Sequence, residues 1–463
     1  MIMNKNKYDK FLKNKNLMDT PSGFECIDDL HPALFSFQQD IIRWALRRGR
    51  AALFEDCGLG KTIQQLEWAR HVVKQTKKSV IIFAPLAVSH QTVQEGKKFN
   101  IKVHHCKDQK DIKFGINITN YERLNKFKPD LFSGIVLDES SIIKNMNGVI
   151  RNELILRFGK IPYRLACTAT PSPNDYMELG NHSEFLGVMS HQEMLGTFFI
   201  NDSNNTGKWR LKGHVQKKKF WEWLCSWAIM ISNPADLGYD NTGFILPALN
   251  YHEHILPYTG KNKKGFFNHQ IGGLVDRKRI RKETIEIRCK YAADLINNLN
   301  DSCVVWCGLN NESKMLTDLI AGAIEIRGSH SNEYKSKCML DFANGKIKRI
   351  VTKPKIAGFG MNWQICNKAF FVGLNDSWES LYQATRRIWR FGQARPVDIH
   401  IIIEEREKNI LENIKRKDAQ ANKMAKTMSS YTDTIVKNIL KGVKDKHDIY
   451  LPQEEMQCPN WWL

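Results

Sequence analysis

The sequence predicts an α/β protein in two halves, each a parallel sheet flanked by helices, with a helical insertion between them and a helical C-terminal tail. Three features carry the prediction. Short, near-continuously apolar runs alternate with helix-forming stretches; the alternation breaks off and later resumes; and 463 residues are too many for one hydrophobic core.

Residues 1–33 are polar and lysine-rich, interrupted by Pro21, Gly23 and Pro32, and read as a basic arm. The first half is expected over residues 34–185, with strands at AALF (51–54), SVIIFA (79–84), GIVLD (134–138) and RLAC (164–167). Such runs suit strands covered on both faces. Residues 186–287 form the expected insertion, which carries Phe198, Phe199, Trp209, Phe220, Trp221, Trp223 and Trp227 and then the basic run from Arg277 to Lys282. Trp221, Trp223 and Trp227 do not share one clean solvent face, so a small hydrophobic core is favoured there over a platform for stacking bases. The second sheet is expected over residues 288–405, at SCVVWC (302–307), IEI (324–326), RIVT (349–352), AFFV (369–372) and VDIHIII (397–403). Residues 406–463 complete the chain as a charged, helix-forming extension to about residue 443, with a polar tail ending in Trp461 and Trp462.

Lys and Arg number 69 against 49 Asp and Glu, a formal charge of +20 that draws polyanions and favours nucleic acid over an acidic small molecule. A solvated, lysine-rich surface is the plainer reading of the same charge. Composition is that of a soluble globular chain, no apolar run is long enough to cross a bilayer, and the N-terminal lysines are followed by no apolar core. The expected location is therefore the cytoplasm. Eleven cysteines include no CxxC pair, and the closest two, Cys303 and Cys307, lie in an apolar run. Buried thiols are expected, rather than zinc ligands or disulfides.

FEDCGLGKT, residues 54–62, stands between an apolar run and the helix-like TIQQLEWARHVV. A strand, a turn containing Gly58 and Gly60, and a helix N-terminus present backbone N–H groups to phosphate oxygens. Lys61 would reach the β- and γ-phosphates and the Thr62 hydroxyl would ligate magnesium. Alone, the loop could be a simple glycine turn. Asp138 and Glu139, closing GIVLD, can divide metal holding and proton abstraction between them, although a helix cap would use the same residues. QATRRIWRFGQ (383–393) sets Arg387 and Arg390 about one helical turn apart, on one face. Two such arginines can stabilise a transferring phosphoryl group, or merely decorate a surface helix. Their co-occurrence is what favours a site.

In order along the chain from about Phe37 to Ile403, these segments resemble the Swi/Snf-related ATPases of helicase superfamily two, whose two lobes are RecA-like. SFQQDIIRWAL resembles the stretch before the phosphate loop, which implies Phe37 as an adenine-stacking residue and Gln38 as an adenine reader. EDCGLGKT is similar to the family's acidic variant of that loop. APLAVSHQTVQE and ITNYERL resemble the backbone-gripping segments of the first lobe. DESSIIKN matches the magnesium motif with Lys144 and Asn145 downstream, and TATPSPNDYMEL the coupling motif with Asn174, Glu178 and Leu179. LPALNYHEHILPY resembles the strand that opens the second half. IAGFGMNW, containing Gly360, is similar to the second-lobe glycine motif between nucleotide and nucleic acid, and Gln383 opens the arginine motif. Ser140 and Ser141 replace the usual Ala-His or Ala-Asp, Pro354 and Lys355 the usual Thr-Arg, and Thr92 an expected tryptophan.

The resemblance implies an ATP- and magnesium-dependent motor that moves on double-stranded DNA, a minimal form similar to phage-encoded members acting in the cytoplasm of a bacterial host. One chain can complete the site, so a monomer suffices. Candidate phosphate-gripping residues are Ser89, His90, Thr119 and Asn120 in the first lobe and Ser329, Lys353 and Lys355 in the second, each open to the plainer reading of loop polarity. The basic run from Arg277 reads better as a solvated helix face than as a further contact. A strand-separating or RNA-acting helicase shares every one of the nucleotide-site residues. A nucleic-acid scaffold that binds ATP without turnover has no need of Lys61, Thr62, Asp138, Glu139, Arg387 and Arg390 together.

Overall fold

The computed structural model describes residues 21–26, 28–201, 209–258, 274–357 and 362–440. Strands are β1 (Arg50–Glu55), β2 (Ser79–Ala84), β3 (Val103–His105), β4 (Ile116–Asn120), β5 (Phe132–Asp138), β6 (Tyr163–Cys167), β7 (Phe199–Asn201), β8 (Trp209–Leu211), β9 (Ala228–Ile231), β10 (Leu249–Leu256), β11 (Cys303–Cys307), β12 (Ala323–Glu325), β13 (Arg349–Thr352), β14 (Lys368–Val372) and β15 (Val397–Glu404). Two parallel sheets flanked by helices result, one with the order β3-β4-β2-β5-β6-β1-β9 and the other β10-β15-β14-β11-β13-β12. These are two RecA-like lobes. Every expected apolar run is a strand, since residues such as the fully buried SVIIFA are stable only where both faces of the sheet are covered.

Five strands went unread in the sequence: β3, β4 and β9 of the first sheet, and the antiparallel pair β7–β8. β4 is INITN, whose polar residues hide a strand buried along its whole length. β9 is short and follows a tryptophan-rich helix, and it pairs with β1 at the edge of the first sheet.

That pairing corrects the expected insertion. Phe198, Phe199, Phe220, Trp221, Trp223 and Trp227 pack with Phe54, Phe83 and Leu137 in the core on one face of the first sheet, and form no separate core. The reason is area: the helices His191–Phe198 and His214–Cys225 and the antiparallel pair β7–β8 cannot enclose so many rings, whereas the sheet face can. β10, within the same expected insertion, pairs with β15 in the second sheet. The side chains of Arg277 and Lys278 lie outside the described residues.

The helix Lys408–Leu440 follows β15 and crosses both lobes: Ile410, Leu411 and Ile414 join the second lobe's core, and Met424 joins the first lobe's. Residues 441–463, with Trp461 and Trp462, lie outside the described residues. Of the ten described cysteines eight are buried, as expected of structural thiols. Among the described residues no helix is long and apolar enough to cross a membrane.

Candidate active site

Loops leaving the C-terminal ends of β1, β5 and β6 meet the segment that follows β14. Open parallel sheets expose unpaired backbone groups and helix N-termini at that edge. After β1 the chain turns through Gly58 (φ 97°) and Gly60 (φ 80°) into the helix Lys61–Thr76. Glycine is required at both. A Cβ on Gly60 would lie 2.3 Å from Gln38 Nε2, and one on Gly58 would lie 3.0 Å from the Phe391 backbone nitrogen. Lys61 Nζ donates to the carbonyls of Glu55 (2.7 Å) and Asp56 (3.0 Å), so in this state the ammonium folds back on its own loop.

Asp138 is buried at the end of β5, where its Oδ1 accepts from Gln65 Nε2 (2.8 Å) and from the Glu139 amide (3.1 Å). Glu139 follows in the left-handed region, with φ 52° and ψ 53°. Its Oε2 is out of solvent and has no hydrogen-bond partner among the described residues. Burial, then repulsion from Asp138, push the Glu139 carboxyl up to about 7, against the attraction of Lys61 and Arg387. Burial likewise raises Asp138 and lifts Glu55 to about 7. A carboxylate on Asp138 and a hydroxyl on Thr62 are hard oxygen donors of the kind magnesium takes, and the helix Lys61–Thr76 starts at Gly60 with no side-chain cap on its N-terminal amides; the residues fit a magnesium nucleotide.

Arg387 and Arg390 come from the second lobe and are turned into this cleft. Arg387 is buried, its Nε donates to Gln383 O (3.0 Å), and its charge acts on both Asp138 and Glu139. Burial, then repulsion from Arg387, lower Arg390 to about 10, while Cys57 of the phosphate loop and Glu95 pull the other way. Gln383 is buried beside them, its Nε2 without a partner among the described residues.

Other candidates are placed differently. Phe37 is only 2% exposed and packs against Phe244, with ring centroids 5.5 Å apart, so it faces the core; Phe35, at 50%, is the exposed ring two residues earlier. The 3.6-residue turn of the helix Ser36–Arg48 places Phe37 on its inner face. Gln38 is buried and committed to the protein, accepting from Phe35 N (2.9 Å) and donating to Leu59 O (2.8 Å), so it braces the phosphate loop. Gly360 lies outside the described residues. Ser89, Thr119 and Asn120 are buried and do not present a gripping surface, Ser89 because its hydroxyl turns back to Pro85 O and the other two because β4 is an interior strand. His90 is exposed and stacks on His105, Ser329 and Lys355 are exposed, and Lys353 bonds Asn310.

Three residues that hold the cleft together carried no sequence signal. Asp56 accepts bonds from Arg386 and from the Tyr382 hydroxyl, and Glu379 accepts from Lys144 and from Thr170 Oγ1 (3.2 Å). The Arg386 guanidinium also lies over the Trp389 ring at 4.2 Å.

Residues 37–202 match the SNF2-related domain. Among curated proteins, the chain is 26% identical over 199 residues to the DNA excision repair protein ERCC-6 of Mus musculus and of Homo sapiens, a match covering 35% of the chain and 13% of each relative's length. Among solved structures it is similar to the S. cerevisiae Dbp5 bound to RNA and ADP BeF3, at 13% identity and a TM-score of 0.51 over 88% of this chain and 93% of that one. A second is the Sulfolobus solfataricus SWI2/SNF2 ATPase core in complex with dsDNA, at 19% identity and a TM-score of 0.42 over 91% and 99%.

Proposed function

We propose that the chain is an ATP-hydrolysing motor that moves along double-stranded DNA. One observation carries the catalytic part: a buried carboxylate oxygen on Glu139, unpartnered and raised toward neutral pH, in a cleft with Lys61 of its own lobe and Arg387 of the other. A group so placed can take a proton from water near pH 7. Magnesium, which would be held by Asp138 and Thr62, would neutralise charge on the β- and γ-phosphates. Lys61 leaves the Glu55 and Asp56 carbonyls for the nucleotide, Glu139 accepts the water proton, and Arg387 and Arg390 stabilise the charge of the transferring group.

The duplex-DNA part rests on the relationship to SNF2-related proteins and on the formal charge of +20. Exposed His90, Ser329 and Lys355, with Lys353, remain the proposed backbone contacts; the second lobe is proposed to begin at β10, before residue 288. ATP hydrolysis measured with duplex DNA, single-stranded DNA and RNA tests the reading. Duplex DNA should stimulate most, the Lys61→Ala variant should be inactive with all three, and strongest stimulation by RNA would overturn the choice of track.

A further inference from the structure

The helix Trp378–Thr385 brings the second lobe's arginines to the first lobe, and it is held there by charges of opposite sign at its two ends. At the C-terminal end, basic Arg386 grips acidic Asp56 of the phosphate loop, with the Tyr382 hydroxyl on the same carboxylate. At the N-terminal end, acidic Glu379 accepts from Lys144, six residues past Asp138, and from Thr170 Oγ1 at 3.2 Å, just past β6. Seven residues of helical chain separate the two anchors, about 10 Å. One anchor alone leaves a helix free to pivot; two at this spacing fix its direction. Lys144 is itself held, since its carbonyl accepts from Asn181 Nδ2 at 2.8 Å. Glu379 is 8% exposed, and a carboxylate so far out of water depends on its partners.

We propose that Glu379 is a positioning residue for ATP hydrolysis: by holding Lys144 and Thr170 it fixes the depth at which Arg387 enters the cleft beside Asp138 and Glu139. It acts through these neighbours and not on the reacting atoms. The proposal rests on reading the cleft as an ATP-hydrolysing site. Because like-signed pairs across the same gap repel, the arrangement also rejects a slipped register of the helix.

Three variants of the full chain decide it: Glu379→Gln, Lys144→Glu, and the exchange Lys144→Glu with Glu379→Lys. The first readout is the distance distribution between spin labels on the two lobes, which does not depend on turnover. Either single variant should broaden it, and the exchange should narrow it again, because the introduced lysine can still pair with the introduced glutamate. The second readout is steady-state hydrolysis. Glu379→Gln should lower kcat by about tenfold or more while changing KM for ATP by less than about threefold, the pattern of lost transition-state alignment rather than lost binding. An unchanged distance distribution in Glu379→Gln, an exchange that fails to narrow it, or an unchanged kcat in Glu379→Gln overturns the proposal. A parent chain that hydrolyses no ATP overturns the ATPase reading instead, and the distance measurement still decides whether Glu379 sets the lobes.

Discussion

Glu139 is strained and electrostatically disfavoured at once. A non-glycine residue in the left-handed region costs about 1–3 kcal/mol, and a carboxyl raised to about 7 holds its proton more tightly folded than unfolded. This group's contribution to stability is therefore full below the ordinary carboxylate value and is lost as the pH rises through about 7. Its use as a base needs the ionised form, so turnover should climb over the same interval in which stability declines. Glu139→Gln separates the two effects: hydrolysis falls by about a hundredfold or more, while the melting temperature near pH 8 is equal to or above the parent's. Phosphate release followed from pH 5.5 to 8.5, alongside calorimetry at the two extremes, checks both; a parent whose rate is flat across that range would refute the assignment. Lys61, Asp138, Glu139 and the two arginines were legible in the sequence because each stands in a short local pattern with a chemical reason. Asp56, Glu379 and Arg386 were not, because a bond such as Arg386 to Asp56 joins positions 330 residues apart and leaves no periodicity to read. Phe37 shows the converse limit, since an aromatic beside a glutamine reads the same whether it faces a base or the core.

Strands were the legible elements, because a parallel sheet demands runs of apolar residues that few other contexts tolerate. The exceptions follow the same physics: β4 buries Asn117, which satisfies its amide locally with Nδ2 donating to Lys113 O at 2.8 Å, and so resembles a loop in composition. A buried ion cluster in the second lobe was likewise invisible. Arg288, on the helix Ile285–Asn297, is fully buried and reaches Glu312 Oε1 at 2.8 Å, Glu407 Oε2 at 3.4 Å and the Arg281 carbonyl at 2.6 Å. Gly373 makes room for it, because a Cβ there would lie 1.9 Å from Arg288 Nη1. Breaking one member of a buried cluster strands the others out of water, so Arg288→Leu should destabilise the second lobe by about 3–5 kcal/mol. Gly373→Ala should weaken the same contacts through steric displacement. Urea unfolding reads the shift in midpoint; an Arg288→Leu chain as stable as the parent would mean that the two glutamates find water or protons without cost.

The two lobes are joined by more than the linker between β9 and β10. The helix Lys408–Leu440 places Ile410, Leu411 and Ile414 in one core and Met424 in the other, while Lys417 Nζ donates at 3.1 Å both to Asn174 in the first lobe and to the Asp376 carbonyl in the second. Trp378, which starts the helix leading into the turn that carries Arg387 and Arg390, donates through Nε1 to Asp418 at 2.8 Å, so the same splint also touches the element that closes the cleft. In the sequence this helix read only as a charged extension, since apolar residues at helical spacing do not say which of two surfaces they face. Its mechanical consequence is testable at Met424, which is buried among the first lobe's aromatics. Met424→Ala removes about 2–5 kcal/mol from that end alone and leaves the second-lobe end seated. If the helix couples the lobes, scanning calorimetry should show the parent unfolding in one transition and the variant in two, with the first lobe melting earlier. Two transitions in the parent itself, or one unshifted transition in the variant, would show that the lobes are held together by the cleft contacts and that the helix is a passenger.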